Sequence, residues 1–404
     1  MNNSCTSPDS YNETQVKVNV SSTEPFLLEF NPYMVPVNGY LSPALVLLTI
    51  VTNVFVCAVL LKPNMRSSTN TLLVAMAVSD MLTGVCPIPC YVYFFSWGHY
   101  ADYVPYRWCF AYYCLTDFLP TTFHTASIWL TVALAVQRYI YVCHSLEARR
   151  WCTVSNAIRV AFFIYAVAIL SQISRFLEVH YIPLLVKSRL EPETTIVSCR
   201  YVYSQFIGDN LNIYFNVYYW FRVIFIHLVP CTALVFMNAI LVQTMRVAQT
   251  RRQQLLKQNR RTESRRLAES NVTTMMLVAV VGVFLVVEFP LAILFIVMIV
   301  ENIEDRIIMD PMSASVASLF INFFILVSYP LNFFIYCGMS RQFRETLKSL
   351  FRSGSQGLGT SAECSADPSK YASMAILGSN SRTYDAYTTT VKTEVAGSDS
   401  LRLL

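Results

Sequence analysis

Seven long apolar runs set the plan of this chain, each near the roughly 20 residues a helix needs to cross a hydrocarbon core. They fall at about Val37 to Leu61, Leu72 to Phe95, Cys109 to Val142, Ile158 to Leu177, Ile213 to Val242, Thr273 to Val300 and Met312 to Cys337. The stretches between them are polar. The pattern predicts an all-α membrane protein, a seven-helix transmembrane bundle spanning residues 37–340 behind an amino-terminal arm, residues 1–36. That arm has no basic start followed by an apolar core, so no cleavable signal peptide is expected. The first run would itself direct insertion. Composition agrees: the 404 residues are 54% hydrophobic and 14% charged, where a soluble domain carries about 25% charged residues.

Charge orients the bundle. Lys and Arg favour cytoplasmic loops, and here they gather after the first run (Lys62, Arg66), after the third (Arg149, Arg150) and after the last (Arg341, Arg344, Lys348, Arg352). The densest group joins the fifth and sixth runs: Arg246, Arg251, Arg252, Lys257, Arg260, Arg261, Arg265 and Arg266. The amino-terminal arm carries Asp9, Glu13, Glu24 and Glu29 against Lys17. The expected topology is a multi-pass plasma-membrane protein with an extracellular amino terminus and a cytoplasmic carboxyl terminus. Glycosylation triplets at Asn2, Asn12 and Asn19 fall on the outer side, and a fourth at Asn271 falls on the inner side, where it should be silent. Between two spans held in membrane lipid, a basic cluster reads as a solvated helical extension that orients the protein, as a docking surface for a cytoplasmic partner, or as both, with no nucleic acid as partner.

Polar groups inside the runs are costly and need an account. Asn53, Asp80, Ser127 and Asn332 stand one each in the first, second, third and seventh runs, a candidate buried network. Singly, each could be a hydrogen bond that only holds the bundle. Asp80 must be neutral, paired or hydrated. Gln137-Arg138-Tyr139 ends the third run, and Arg138 alone could be an anchor that reaches the headgroups. Pro230 and Pro290 interrupt the fifth and sixth runs, with Phe284 before the latter. Each leaves an unpaired carbonyl and a bend that neighbours or water must satisfy. Bent helices around buried polar groups suit a bundle with two arrangements of similar energy.

In order, Asn53, Met76-Ala77-Val78-Ser79-Asp80, Gln137-Arg138-Tyr139, Pro230, Phe284 with Pro290, and Asn332-Phe333-Phe334-Ile335-Tyr336 resemble the rhodopsin-like G-protein-coupled receptors. The resemblance covers about Val37 to Phe351. The phrases from His124 to His144, from Phe221 to Pro230 and from Tyr336 to Thr346 are similar to the invertebrate sex peptide receptors, which are also the myoinhibitory peptide receptors. It implies a short amphipathic membrane-surface helix at residues 341–352, marked by Phe343. It also implies coupling to a heterotrimeric G protein, of the inhibitory class, through Gln137, Arg138, Tyr139, Asn332 and Tyr336. The implied ligand is a short amidated peptide bearing two tryptophans. A sodium ion near Asp80 is a further expectation, with no other cofactor. A Ser- and Thr-rich tail, residues 353–404, is expected to be disordered and to serve receptor kinases and arrestin.

Three positions depart from the family pattern. Gln137 replaces the acid before the arginine, which is expected to loosen the resting state. Glu288 stands in place of an aromatic switch and must be protonated or paired. Phe333 takes the place of the seventh-helix proline, which stands instead at Pro330. Of twelve cysteines, Cys199 lies in the long second outer loop. Its general-family partner would fall at Tyr113, which Cys109 and Cys114 flank. The closer family favours Cys109, and Cys114 remains the alternative. Cys86 and Cys90 bracket an apolar, proline-bearing stretch and read as packing.

The candidate ligand pocket comprises Asp117, His124, Arg175, Arg222, His227 and Glu288, near Tyr91, Tyr93, Phe94 and Tyr218 to Phe221. Aromatic walls with a few placed polar groups suit a peptide with an aromatic end. For Tyr218 to Trp220 an interfacial aromatic belt is an equal reading. No phosphate loop, His-Glu-x-x-His helix or Gly-x-Ser-x-Gly elbow is present, so no enzyme is expected. A transporter would show internal repeats, and none is visible. A receptor for another neuropeptide, such as an RF-amide, is the nearer alternative; Pro120 stands where amine receptors place an aspartate.

Overall fold

Every predicted run is a helix in the computed structural model, which describes residues 24–28, 31–304 and 306–356. Helices α1 (Val35–Leu60), α2 (Ser68–Ser96), α3 (Tyr106–Cys143) and α4 (Val154–Phe176) come first. A hairpin of β1 (Val179–Lys187) and β2 (Thr195–Tyr203) follows. The chain continues through α5 (Leu211–Lys257), α6 (Arg261–Glu304), α7 (Pro311–Met339) and α8 (Arg341–Gln356). Among the described residues, the first seven helices are long and apolar enough to cross a membrane.

Local chemistry sets the helix ends. The side chains of Ser67, Thr153 and Asp310 accept from the backbone N–H groups of Asn70, Asn156 and Ser313, capping α2, α4 and α7. Pro311 then opens α7 where its missing N–H costs nothing.

Proline also shapes the helix interiors. Three of the four wide π-type turns among the described residues, Val35–Leu41, Cys114–Phe118 and Arg222–Leu228, precede a proline, and the fourth, Tyr91–Ser96, does not. The three end two residues before Pro43, Pro120 and Pro230. The residue just before each proline donates five positions back, Ser42 to Val37, Leu119 to Cys114 and Val229 to Ile224. The proline has no N–H and its ring crowds the carbonyl four residues earlier, so the preceding turn widens. The widest stretch in α5 therefore carries both Arg222 and His227.

The basic stretch between the fifth and sixth runs is mostly helix. α5 continues to Lys257 and α6 starts at Arg261, leaving a tight turn with Asn259 in the left-handed region at φ 59°.

The hairpin is a local exception to the all-helical expectation. Val, Ile and Tyr recur in both of its strands and Thr195 opens the second, side chains that fit a pleated ribbon. Register runs from Val179 opposite Tyr203 to Lys187 opposite Thr195, which puts Cys199 opposite Pro183. Asp102 ties down the turn. It accepts from the Ser188 hydroxyl at 2.6 Å and from the backbone N–H of Arg189 at 2.8 Å. Beside the hairpin, the backbone N–H of Phe26 donates to the Cys199 carbonyl at 2.7 Å.

The largest apolar core fills the α8 end of the bundle with Val56, Leu73, Met76, Leu130, Leu134 and Tyr336. Phe343 of α8 is buried there and meets the ring of Tyr336 at 5.8 Å. A second core beneath the hairpin contains Leu28, Cys90, Phe94, Val104, Cys109 and Cys199. Large apolar side chains such as Leu47, Phe162, Phe163, Val286 and Phe289 point outward, as a lipid-facing surface requires.

Candidate functional site

Midway through the bundle, Glu288 of α6 is 1% exposed and lies between two histidines. His124 Nε2 of α3 is 3.1 Å from one carboxylate oxygen and His227 Nδ1 of α5 is 3.2 Å from the other. Neither contact has the alignment of a directed hydrogen bond. The other nitrogen of His124 meets the Tyr329 hydroxyl of α7 at 3.1 Å. Side chains from α3 and α5 thus meet the acid of α6, with α7 joined through His124, and of the two states expected for Glu288 the structure shows the paired one. Tyr329 was not legible as a partner, since nothing in a lone tyrosine before a proline marks it.

Two arginines lie toward the hairpin from this group, and their surroundings differ. Arg175 is neutralised: Asp117 Oδ2 lies at 2.7 Å and Glu178 Oε2 at 2.5 Å, with the rings of Tyr218 and Tyr113 at 5.0 and 5.5 Å. The Tyr214 hydroxyl donates to Glu178 at 3.2 Å. Burial pushes the Glu178 carboxyl above its ordinary range, against the opposing pull of Arg175 and Tyr214. Arg222 is buried, donates to the Tyr218 hydroxyl at 2.9 Å and lies 4.6 Å from the centre of the Phe295 ring. No carboxylate pairs with it among the described residues, and its Nε has no partner. The six candidate pocket residues therefore split into an Arg175–Asp117 group and a Glu288–His124–His227 group, with Arg222 outside both ion-pair sets.

Deeper in the bundle, Asp80 accepts from the Ser127 hydroxyl at 2.6 Å and from the Asn332 amide at 3.3 Å. Asn53 is buried too, but its amide donates to the Thr49 carbonyl of its own helix at 3.0 Å. The expected four-residue network is thus a three-residue one with Asn53 beside it, because the Thr49 carbonyl one turn back accepts from the Asn53 amide within the same helix.

At the α8 end of α3, the Gln137 amide donates to the Ser68 hydroxyl at 2.8 Å. Arg138 has a buried Nε without a partner and its guanidinium lies 5.8 Å from the Tyr141 ring. Among the described residues no carboxylate reaches it. The glutamine has turned to α2 instead of restraining its neighbour. Tyr139 packs edge-on to His144 at 5.5 Å, and the buried Tyr336 hydroxyl lacks a partner.

Cys109 and Cys199 form a disulfide, and Cys114 is free. Cys90 is fully buried in the core beneath the hairpin, in keeping with packing. The acceptor residues Asn2, Asn12 and Asn19 lie outside the described residues, as does the tail from residue 357. α8 runs to Gln356, four residues past the expected boundary at 352. Two hollows lie away from the polar groups just described. One of about 320 Å³ is bordered by Leu60, Arg66, Asn70, Val74 and Ile158, and one of about 450 Å³ by Tyr93, Tyr106, Arg107, Trp108 and Val197.

Comparison with known proteins agrees with this architecture. Residues 40–354 match the family model described as serpentine type 7TM GPCR chemoreceptor Srw. The chain is 42% identical over 322 residues to the sex peptide receptor of Drosophila melanogaster, covering 79% of this chain and 73% of that one. It is 33% identical over 338 residues to sex peptide receptor-related protein 2 of Caenorhabditis elegans, covering 82% and 75%. The FMRFamide receptor of Drosophila melanogaster is 26% identical over 338 residues, covering 80% and 55%. These relatives are signalling receptors, not enzymes. The seven spans, the Asp80 group, the hairpin disulfide and these matches together make the chain a rhodopsin-like G-protein-coupled receptor of the sex peptide receptor family.

Proposed function

We propose that the chain is a plasma-membrane receptor, hairpin end outside, that binds a short amidated peptide and activates a heterotrimeric G protein of the inhibitory class. The observation that carries the reading is the buried Glu288 held by His124 and His227. It joins α3, α5 and α6 at the floor of the polar and aromatic group beneath the hairpin. A ligand that shifts any one of these helices must disturb it, and packed bundles respond by switching between arrangements. His124 and Arg138 share α3 about 21 Å apart, so such a shift can be felt where Arg138 waits without an acidic partner. Arg138, Tyr139, Asn332 and Tyr336, with Gln137, form the proposed coupling end. The receptor family and the names of its relatives support a peptide ligand.

Expression with an inhibitory G-protein reporter, challenged with amidated peptides bearing two tryptophans, tests the reading. The expected result is a response lost when either tryptophan is replaced by alanine. Silence at confirmed surface expression would overturn it. A response only to RF-amide peptides would favour the second reading, which the similarity to the FMRFamide receptor motivates. The oxygens of Asp80 and Ser127 are the hard donors a sodium ion takes, and a sodium-dependent shift in peptide affinity, abolished by Asp80→Asn, would place the ion there. The tail from residue 353 is the proposed substrate of receptor kinases and arrestin.

A further inference from the structure

We propose that the flank of the bundle where α1, α2 and α4 meet binds an anionic phospholipid, its phosphate on Arg66 and Ser67 and one acyl chain along Leu60, Val74, Val154 and Ile158. The inference does not depend on the peptide reading, because it needs only a chain that spans a membrane.

The site is the hollow of about 320 Å³, within the roughly 300–1,000 Å³ of small-molecule sites. α1 and α4 each pack on α2, and a trough is left over the first two turns of α2. One end of it is polar, the stretch from Arg66 to Thr71 that opens α2. The other is apolar: Leu60 ends α1, Val74 lies one turn into α2, and Val154 and Ile158 stand on the first two turns of α4. Ile158 is 40% exposed, and Phe162, one turn further along the same face, points outward as well. The trough therefore opens on the flank that meets lipid.

The donors left over at the polar end decide the charge of the occupant. The Asn70 amide donates to the Met65 carbonyl and the Thr71 hydroxyl to the Ser67 carbonyl, so both are spent. The Ser67 hydroxyl accepts from the Asn70 N–H at 3.1 Å, and its own proton has no acceptor among the described residues. Arg66 is exposed and has no carboxylate partner among them. A guanidinium beside a hydroxyl donor suits a phosphate. No acid borders the hollow to receive the ammonium of a zwitterionic headgroup, so a headgroup of net negative charge fits better. A sterol would leave Arg66 unmatched, and a free phosphate would leave the apolar walls bare. An ion pair on an exposed arginine is weak alone; the chain lying in the trough is what makes the contact a site.

The full-length receptor in phosphatidylcholine nanodiscs tests this. The probes are phosphatidylserine and phosphatidylcholine, each with a photoactivatable group early in one acyl chain, and mass spectrometry maps the labelled residues. Phosphatidylserine should label Val74, Val154 and Ile158 about fivefold more than phosphatidylcholine does, the scale of one arginine at an anionic lipid. Arg66→Gln should remove that preference. Ile158→Trp, which puts a large ring over the trough and keeps Arg66, should cut labelling of Val74 and Val154 by a similar factor, whereas charge attraction without a seated chain would survive it. If Arg66→Gln does not insert, Ile158→Trp decides alone. Equal labelling by the two lipids, or walls labelled as before in either variant, would overturn the inference. So would displacement of the label by cholesterol as readily as by unlabelled phosphatidylserine, or cross-links that join two receptor copies through these walls.

Discussion

Asp80 takes its hydrogen bonds from a hydroxyl and an amide, Ser127 and Asn332, whereas Glu288 is gripped by the rings of His124 and His227. Both acids are almost wholly removed from solvent, at 2% and 1% exposure. Asp80's partners cannot change charge and bridge α2 to α3 and α7. Glu288's partners can, and they bridge α6 to α3 and α5. The first is a fixed polar joint. The second is a joint whose balance depends on where protons and nearby charges sit, and it occupies a position where the wider family places an aromatic ring.

The difference can be broken most directly at Glu288. Glu288→Leu strands two buried imidazoles that lose their shared carboxylate, so it should cost about 3–5 kcal/mol of stability. Thermal unfolding of the purified receptor in detergent measures this. Asp80→Ala, which frees two neutral groups able to find new partners, should cost about 1–3 kcal/mol, and Asp80→Asn less. A larger loss at Asp80 than at Glu288 would erase the distinction. At the far end of α3, Gln137→Glu should return an acid beside Arg138 and lower basal signalling about fivefold. Equal basal reporter activity per surface receptor would count against it.

Asp102 sharpens the comparison as a carboxylate that solvent reaches. Burial works to raise its pKa, but hydrogen bonds from Ser188, Arg189 and Tyr103 prevail and hold it below the ordinary value. A depressed folded-state pKa gives stability that is present above the unfolded pKa and lost as pH falls through the folded one. The hairpin turn should therefore hold at neutral pH and loosen only below about pH 3.9. Its contribution should be no more than about 1 kcal/mol, because solvent screens it. Hydrogen exchange at the backbone of Arg189 and Leu190, compared at pH 6 and pH 3 in wild type and Asp102→Ala, checks this smallest effect.

Much of the site was legible because the family pattern carries it. Asp80, Ser127 and Asn332 meet as their positions implied, and Cys109 rather than Cys114 pairs with Cys199. The hairpin is legible in principle, since both strands are rich in β-branched and aromatic residues, but beside seven apolar spans its segment reads only as the long second outer loop. Asn53 and Arg175 were less readable. A side chain in an apolar run can turn to its own helix, as Asn53 does, or be consumed by neighbours from another helix, as Arg175 is by Asp117.

The sequence by itself determined the number of spans and where three of the helices widen ahead of a proline. In lipid each helix must satisfy its own backbone hydrogen bonds, and a proline disturbs them within one turn, so both effects are local. The tertiary structure alone decided which charges are spent and which are left over. Glu288 finds His124 and His227, Arg175 finds Asp117, and Arg222 finds no acid, because those outcomes depend on how three or four helices rotate against one another. No spacing along a single helix records that rotation.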